Sequence, residues 1–230
     1  MQVHRVSRPI MSTLLAGVMA AVMTLCACSS TEPTDDSATQ QAGEEAIVQE
    51  YSELNGAATG SGQQYLDVDL PADHVFTATT GEEAIDILKD GTGVVYFGFP
   101  ECPWCRIAVP VMNEVAQAGD IDQIHYVDAR ELRDTRVLSE DGTVVIEDPG
   151  SGVYAELLEE LGNAAPVYEG LNDPTQRRIY VPLVVAVKDG EVLGSHLSTV
   201  ESQLNPFAPL TMEQHNELSA SYADLFAQTR

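Results

Sequence analysis

The sequence predicts an α/β fold, with a central mixed β-sheet covered by helices on both faces. Three observations carry that reading. Val94-Val-Tyr-Phe-Gly-Phe99 is a continuous apolar run, as expected of a strand buried on both faces. Stretches of helical period alternate with strand-like stretches from residue 74 to the C terminus. Asp189-Gly190 then joins two strand-like runs as a hairpin, which adds an antiparallel pair to a chain otherwise ordered strand, helix, strand.

His74 to Thr79 alternates apolar and polar residues and predicts the first strand. Thr80-Gly-Glu-Glu83 is a capping box; the helix it opens faces inward through Ala84, Ile85 and Leu88 and stops at Asp90-Gly91. The strand Val94 to Phe99 runs into Glu101-Cys-Pro-Trp-Cys-Arg106. A helix follows, with Ile107, Val111, Met112 and Val115 inward and Ala118-Gly119 as its stop; Pro110 lies inside it and predicts a kink. Ile121 to Val127 gives the next strand. Asp128 to Asp148 is polar and poorly periodic apart from Thr143-Val-Val-Ile146. Ser151 to Leu161 is helical, with Val153, Tyr154, Leu157, Leu158 and Leu161 on one face and Gly162 at its end. Ile179 to Val187 is a strand, Glu191 to Leu197 its hairpin partner, and Thr211 to Ala227 a closing helix with Leu218, Tyr222, Leu225 and Phe226 inward. The predicted order is β-α-β-α-β-α-β-β-α.

The 230 residues carry a net charge of −25, which repels phosphate backbones and excludes a nucleic-acid role. At the N terminus, Arg5 and Arg8 precede an uncharged apolar stretch, Ile10 to Leu25, too short for a comfortable membrane span. It reads as a signal peptide. Leu25-Cys26-Ala27-Cys28 resembles the lipobox of bacterial lipoproteins. That resemblance implies a signal peptide over 1–27 and Cys28 as the lipidated N terminus, which anchors the chain to the outer side of the cell membrane. An uncleaved anchor and an ordinary secretory signal are the other readings, and all place the remainder outside the cytoplasm. Residues 28–64 are rich in Ser, Thr, Gln, Gly and acidic residues and predict a flexible acidic tether, with a short transient helix near Glu44 to Leu54. The folded domain is expected over 65–230.

Two of the four cysteines fall in the leader, so Cys102 and Cys105 remain as one close pair. A cysteine at a helix start sits beside unpaired N–H groups and the positive end of the helix dipole, which favour its thiolate. Cys102 is at that point, and Pro103 suits the first helical position because its missing N–H would have had no partner there. Cys105 lies one turn further in. The expected roles are an exposed nucleophilic Cys102 and a resolving Cys105. Glu101 opposes the Cys102 thiolate with its charge, and Arg106 is the nearby cation available to offset it. Trp104 reads as an exposed contact for substrate.

The strand leading into CPWC, the hairpin strand Tyr180-Val-Pro-Leu-Val-Val-Ala-Val-Lys-Asp-Gly190 and the closing helix together resemble the thioredoxin superfamily over about 65–230. The resemblance implies a three-layer thioredoxin-like fold and a redox-active Cys102–Cys105 disulfide. It also implies a cis-proline at Pro182 beside the cysteines, with the Val181 backbone presented to substrate. Two features depart from the family pattern. Tyr96 stands where thioredoxins carry a buried acid. The 79 residues between Cys102 and Pro182 exceed the usual spacing, which marks about 129–178 as an insertion. VVYFGFPECPWC is also similar to thioredoxin-like proteins described as bacteriocin-transport accessory proteins in Gram-positive bacteria.

The expected function is a membrane-anchored extracytoplasmic thiol–disulfide oxidoreductase, its direction open. Its partners would be cysteine-containing exported proteins or peptides and, if it reduces them, a membrane redox partner. The alternative is a non-catalytic thioredoxin-like binding or accessory protein for export of a secreted peptide. No cofactor is expected. Structural zinc takes four ligands, and His74, His125, His196 and His215 are scattered without ligand spacing, so no metal site is expected either.

Overall fold

The computed structural model describes residues 35–230. The signal peptide and the lipid-attachment position Cys28 lie outside the described residues. A five-stranded sheet forms from β1 (Phe76–Ala78), β2 (Gly93–Gly98), β3 (Ile124–Asp128), β6 (Leu183–Lys188) and β7 (Glu191–Leu197). Its order is β1-β3-β2-β6-β7. β1, β3 and β2 run parallel, whereas β6 and β7 are antiparallel to their neighbours. The sheet is therefore mixed, as the sequence predicts.

Residues alternate across the central strands and feed two cores. Val95 and Phe97 of β2, with Val127, Val185 and Val187, meet α2 (Gly81–Asp90) and α4 (Tyr154–Leu161). Val94 and Tyr96, with Ile124, Tyr126, Val184 and Ala186, meet α3 (Pro103–Ala118) and α5 (Met212–Phe226). This period of two explains why β2 reads as apolar throughout: both of its faces are covered. The capping box at Thr80 and Glu83 forms, with Glu83 N 3.2 Å from Thr80 Oγ1 and Thr80 N donating to Glu83 Oε2 at 2.7 Å. Thr211 and Gln214 build the same device at α5. α3 runs unbroken through Pro110, which is exposed and so removes its backbone hydrogen bond on the solvent side.

The tether expected over 28–64 does not hold for the described part. Residues Asp35–Glu53 form α1, within the compact unit 34–230. Ile47 and Tyr51, four apart and hence on one helical face, are 4% and 1% exposed in the core that includes α3 and α5. α1 packs on β1 at the sheet edge. Gly43 makes the approach close, since a Cβ there would lie 3.0 Å from Ala78 Cβ. The chain then continues as a loop that is itself tied down: Asn55 accepts from Val68 N at 2.8 Å and donates to Val68 O at 3.1 Å. The acidic composition described the solvent face of α1 and hid a narrow apolar stripe.

Between β3 and β6 the chain adds a two-stranded antiparallel ribbon, β4 (Thr135–Leu138) and β5 (Val144–Asp148), and then α4. The ribbon is a separate sheet, and Val145 and Ile146 are exposed on it. β4 had no counterpart in the sequence reading, because neither strand buries a continuous face.

Candidate active site

β2 ends at Gly98, and four residues later Cys102 serves as the N-cap of α3 in extended backbone geometry. The cap is made by sulfur: Cys105 N–H donates to Cys102 Sγ at 3.2 Å. Pro103 takes the first helical position. Cys105 has no exposed surface. Cys102 is only 6% exposed, so the open thiol expected from the sequence is largely covered. Part of the cover is the chain before β6. The Val181–Pro182 peptide bond is cis, and Cys102 Sγ lies 3.7 Å from Val181 O. Ser198 N donates to Pro182 O at 2.8 Å, which joins that cover to the end of β7. Trp104 is half-buried against the core rather than fully exposed. The fold thus brings Cys102, Cys105, Trp104, Val181 and Pro182 together, although Val181 and Pro182 are some eighty positions away in sequence.

The two sulfurs differ in charge preference. The Cys102 thiol is held below its ordinary value, chiefly by hydrogen bonding with Cys105. Burial opposes this, while the N–H groups of Cys105 and Trp104 and the charge of Arg133 assist it. The Cys105 thiol is pushed well above its ordinary value by burial first, then by hydrogen bonding and charge from Cys102; the Tyr96 hydroxyl works the other way. A sulfur that favours its anion ahead of one that keeps its proton is an arrangement suited to thiol–disulfide exchange.

Beneath Cys105 lies a set of buried tyrosines. Tyr96 is fully buried and its hydroxyl is 3.0 Å from that of Tyr51 of α1. Tyr96 stacks on Tyr126 with ring centroids 5.4 Å apart, and Tyr51 is tilted against Tyr126 at 6.4 Å. Tyr222 of α5 is also fully buried and feels the charge of Cys105. Burial raises all four phenols. The sequence marked Tyr96 by its position and gave no sign of Tyr51.

Arg106 does not offset Glu101. Its guanidinium is buried, donating to Leu66 O at 2.7 Å, Tyr51 O at 2.9 Å and Asn55 Oδ1 at 2.6 Å. It clamps α1 and the following loop onto the cysteine helix. The partner of Glu101 is Arg130, from the loop after β3, at 2.8 Å. Arg130 also holds Glu50 of α1 at 3.1 Å and Asp128. Arg133, three residues further on, lies with Cζ 5.1 Å from the Phe99 ring centroid and feels the charge of the cysteines. Both arginines escaped the sequence reading. The available signal was compositional: five of the eleven basic residues fall in 129–178.

A cavity of about 670 Å³ lies between α1 and the β1 edge, lined in part by Ile47, Glu50, Glu83 and Asp128, and neither cysteine reaches it. Tyr126 belongs both to the lining of this cavity and to the tyrosine cluster. Among the described residues no group of His, Cys, Asp and Glu is placed to hold a metal ion. His125 and His196 are held below their ordinary range by burial, apart from each other on β3 and β7. Among the described residues no helix is long and apolar enough to cross a membrane. No protein-family model matches the chain, and no curated protein matches it.

Proposed function

We propose that the chain is a thioredoxin-like thiol–disulfide oxidoreductase, lipid-anchored at Cys28 outside the cytoplasm, which exchanges disulfides with exported proteins or peptides through Cys102 and Cys105. The observation that carries this reading is the asymmetry of the pair. Cys102 caps α3 with its anion favoured, whereas Cys105 is sealed behind it with its proton favoured. The Val181 carbonyl beside Cys102 supports a substrate role for that backbone, because a disulfide in an extended segment could pair there. Pro182 positions it.

In the reducing direction the Cys102 thiolate attacks a client disulfide, forms the Cys102–client bond and expels one client sulfur, which takes up a proton. Cys105 then attacks Cys102 Sγ, its thiol proton passes to the second departing client sulfur, and a Cys102–Cys105 disulfide remains. The client gains two electrons from the pair and two protons, one from Cys105 and one from solvent, where the Cys102 proton went on ionisation. The oxidising direction is the reverse. The buried state of Cys102 favours a second reading, a binding or accessory protein whose pair does not exchange.

Equilibration with glutathione buffers separates the two. Exchange is expected to give a reduction potential between ~−120 and ~−270 mV, the oxidising and reducing ends of such pairs. A Cys105→Ser variant should accumulate mixed disulfides through Cys102. A pair that stays fixed across all buffers, with no adduct trapped by Cys105→Ser, would leave the accessory reading in its place.

A further inference from the structure

The residues between β3 and β6 contain a group aimed at the site. Leu132-Arg133-Asp134 passes beside Phe99, the last residue before the Pro100-Glu101-Cys102 turn. The Phe99 carbonyl accepts from Cys102 N at 3.2 Å, so the ring and the nucleophile belong to one turn. The Arg133 guanidinium lies over that ring at 5.1 Å. Its Nε is buried and has no hydrogen-bond partner. The arginines on either side are taken: Arg130 by Glu50, Glu101 and Asp128, Arg136 by Asp134 at 2.5 Å. Among the described residues no carboxylate pairs with Arg133. The groups whose charge it feels are Arg178, Tyr154, Cys102 and Cys105. A guanidinium without an anion, half sunk against an aromatic face, acts on the nearest site where negative charge can form.

Its backbone is fixed from behind. Ser151 N donates to Leu132 O at 3.0 Å, and Gly150 closes so tightly that a Cβ there would lie 2.7 Å from the Arg133 carbonyl carbon. Gly150 has φ +67°, the left-handed region, so glycine suits both demands. The ribbon β4–β5 therefore returns onto the arginine and holds it in place.

We infer that Arg133 is a positioning residue for exchange at Cys102, set by the β4–β5 segment to hold a permanent positive charge over Phe99, beside the turn that carries the nucleophile. This rests on the exchange reading above and gives the segment before β6 a role in it. Arg130 complements Arg133 by neutralising Glu101, the carboxylate next to Cys102 in sequence. The remaining groups around Cys102 are Cys105, the Trp104 N–H and the Val181 carbonyl, none of which carries a fixed charge.

The test is the pH dependence of Cys102 alkylation by iodoacetamide in the reduced full-length chain, followed at that residue by peptide mass spectrometry so that Cys26 and Cys28 do not contribute. Wild type, Arg133→Met and Arg133→Lys are compared. Loss of the charge should move the alkylation midpoint up by about one pH unit, a roughly tenfold slower reaction below the midpoint. Arg133→Lys, which keeps a charge, should stay near wild type. A merely structural arginine would change the melting temperature and leave the midpoint where it was. An unmoved midpoint in Arg133→Met, or an equal shift in Arg133→Lys, overturns the inference while the exchange reading stands. The same samples are equilibrated with oxidised glutathione. If wild type forms neither a mixed disulfide nor a Cys102–Cys105 disulfide, the exchange reading falls and this inference with it.

Discussion

The Tyr51 hydroxyl meets the Tyr96 hydroxyl at 3.0 Å in the buried space beneath Cys105. One residue comes from α1, the other from the strand that leads into the cysteine turn. The Tyr96 phenol also favours the Cys105 anion, and the raised Tyr51 phenol feels the charge of both cysteines. The two hydroxyls therefore form one buried polar contact beside the Cys105 sulfur. An N-terminal segment that reads as a tether is in this way connected to the site.

Removing either hydroxyl leaves its partner buried and short of a bond. Tyr51→Phe and Tyr96→Phe should each cost about 1–2 kcal/mol in urea unfolding. The double variant should cost clearly less than the sum, with a coupling of about 1 kcal/mol. Strict additivity would mean that the hydroxyl contact contributes nothing. Tyr96→Phe should also slow the closure of the Cys102–Cys105 disulfide after a mixed disulfide has formed, since it removes the hydroxyl that favours the Cys105 thiolate.

Gly98 makes room for that contact. A Cβ on Gly98 would lie 2.0 Å from the Tyr96 hydroxyl oxygen and 2.2 Å from the ring carbon that bears it. The two residues are i and i+2 on one strand and so share a face. Gly98→Ala must push the phenol aside within a fully packed core, and a loss of about 1–3 kcal/mol is expected. A stability equal to wild type would show that the tyrosine has somewhere to move.

The regular elements around the site were legible because each carries a local signal. β2 is apolar on both faces, α2 opens with its own capping box, and Asp189-Gly190 turns the final hairpin. The cysteine turn was equally plain, since spacing and Pro103 define it. What was not legible depends on distant packing. α1 has only a narrow apolar stripe in an acidic sequence, and its burial follows from the β1 edge and from Arg106, more than fifty positions away. The cover over Cys102 comes from Val181. Arg130 and Arg133 stand in a loop without period, so nothing in their spacing connects them to Glu101 or Phe99.

Arg106 holds α1 to the cysteine helix through backbone carbonyls rather than through a salt bridge. Truncation to methionine keeps the aliphatic packing and strands the carbonyls of Leu66 and Tyr51 without donors. Arg106→Met should therefore lose about 2–4 kcal/mol, from the charge-assisted hydrogen bonds to Leu66, Tyr51 and Asn55 and the groups they leave unpaired. Hydrogen exchange should rise first over residues 45–66, before the central strands respond. Uniform acceleration across the sheet would instead make Arg106 a general core residue and not a clamp on α1.

The buried phenols make alkali the pH limit of this fold. Tyr51, Tyr96, Tyr126 and Tyr222 all titrate above the ordinary 10.0 because burial penalises the phenolate, and Cys105 is raised above 9.0 for the same first reason. Each is an acid whose folded form keeps its proton longer than its unfolded form. Between the two values the unfolded chain binds fewer protons, so stability falls as pH rises, by about 1.4 kcal/mol per group per pH unit. The contribution is whole below the unfolded values, begins to go near pH 9 through Cys105, and falls steeply above pH 10 through the tyrosines. Four such groups remove about 5 kcal/mol within one pH unit, comparable with the whole stability of many domains. Urea midpoints should hold between pH 7 and 8.5 and collapse above 10. Phenolate absorbance at 295 nm should lag for these four and for Tyr154, also raised by burial, among the eight tyrosines until the chain unfolds. If all eight instead ionised near pH 10 with the urea midpoint unchanged, the hydroxyls beneath Cys105 would be open to solvent, and the sealed resolving thiol would have to be abandoned.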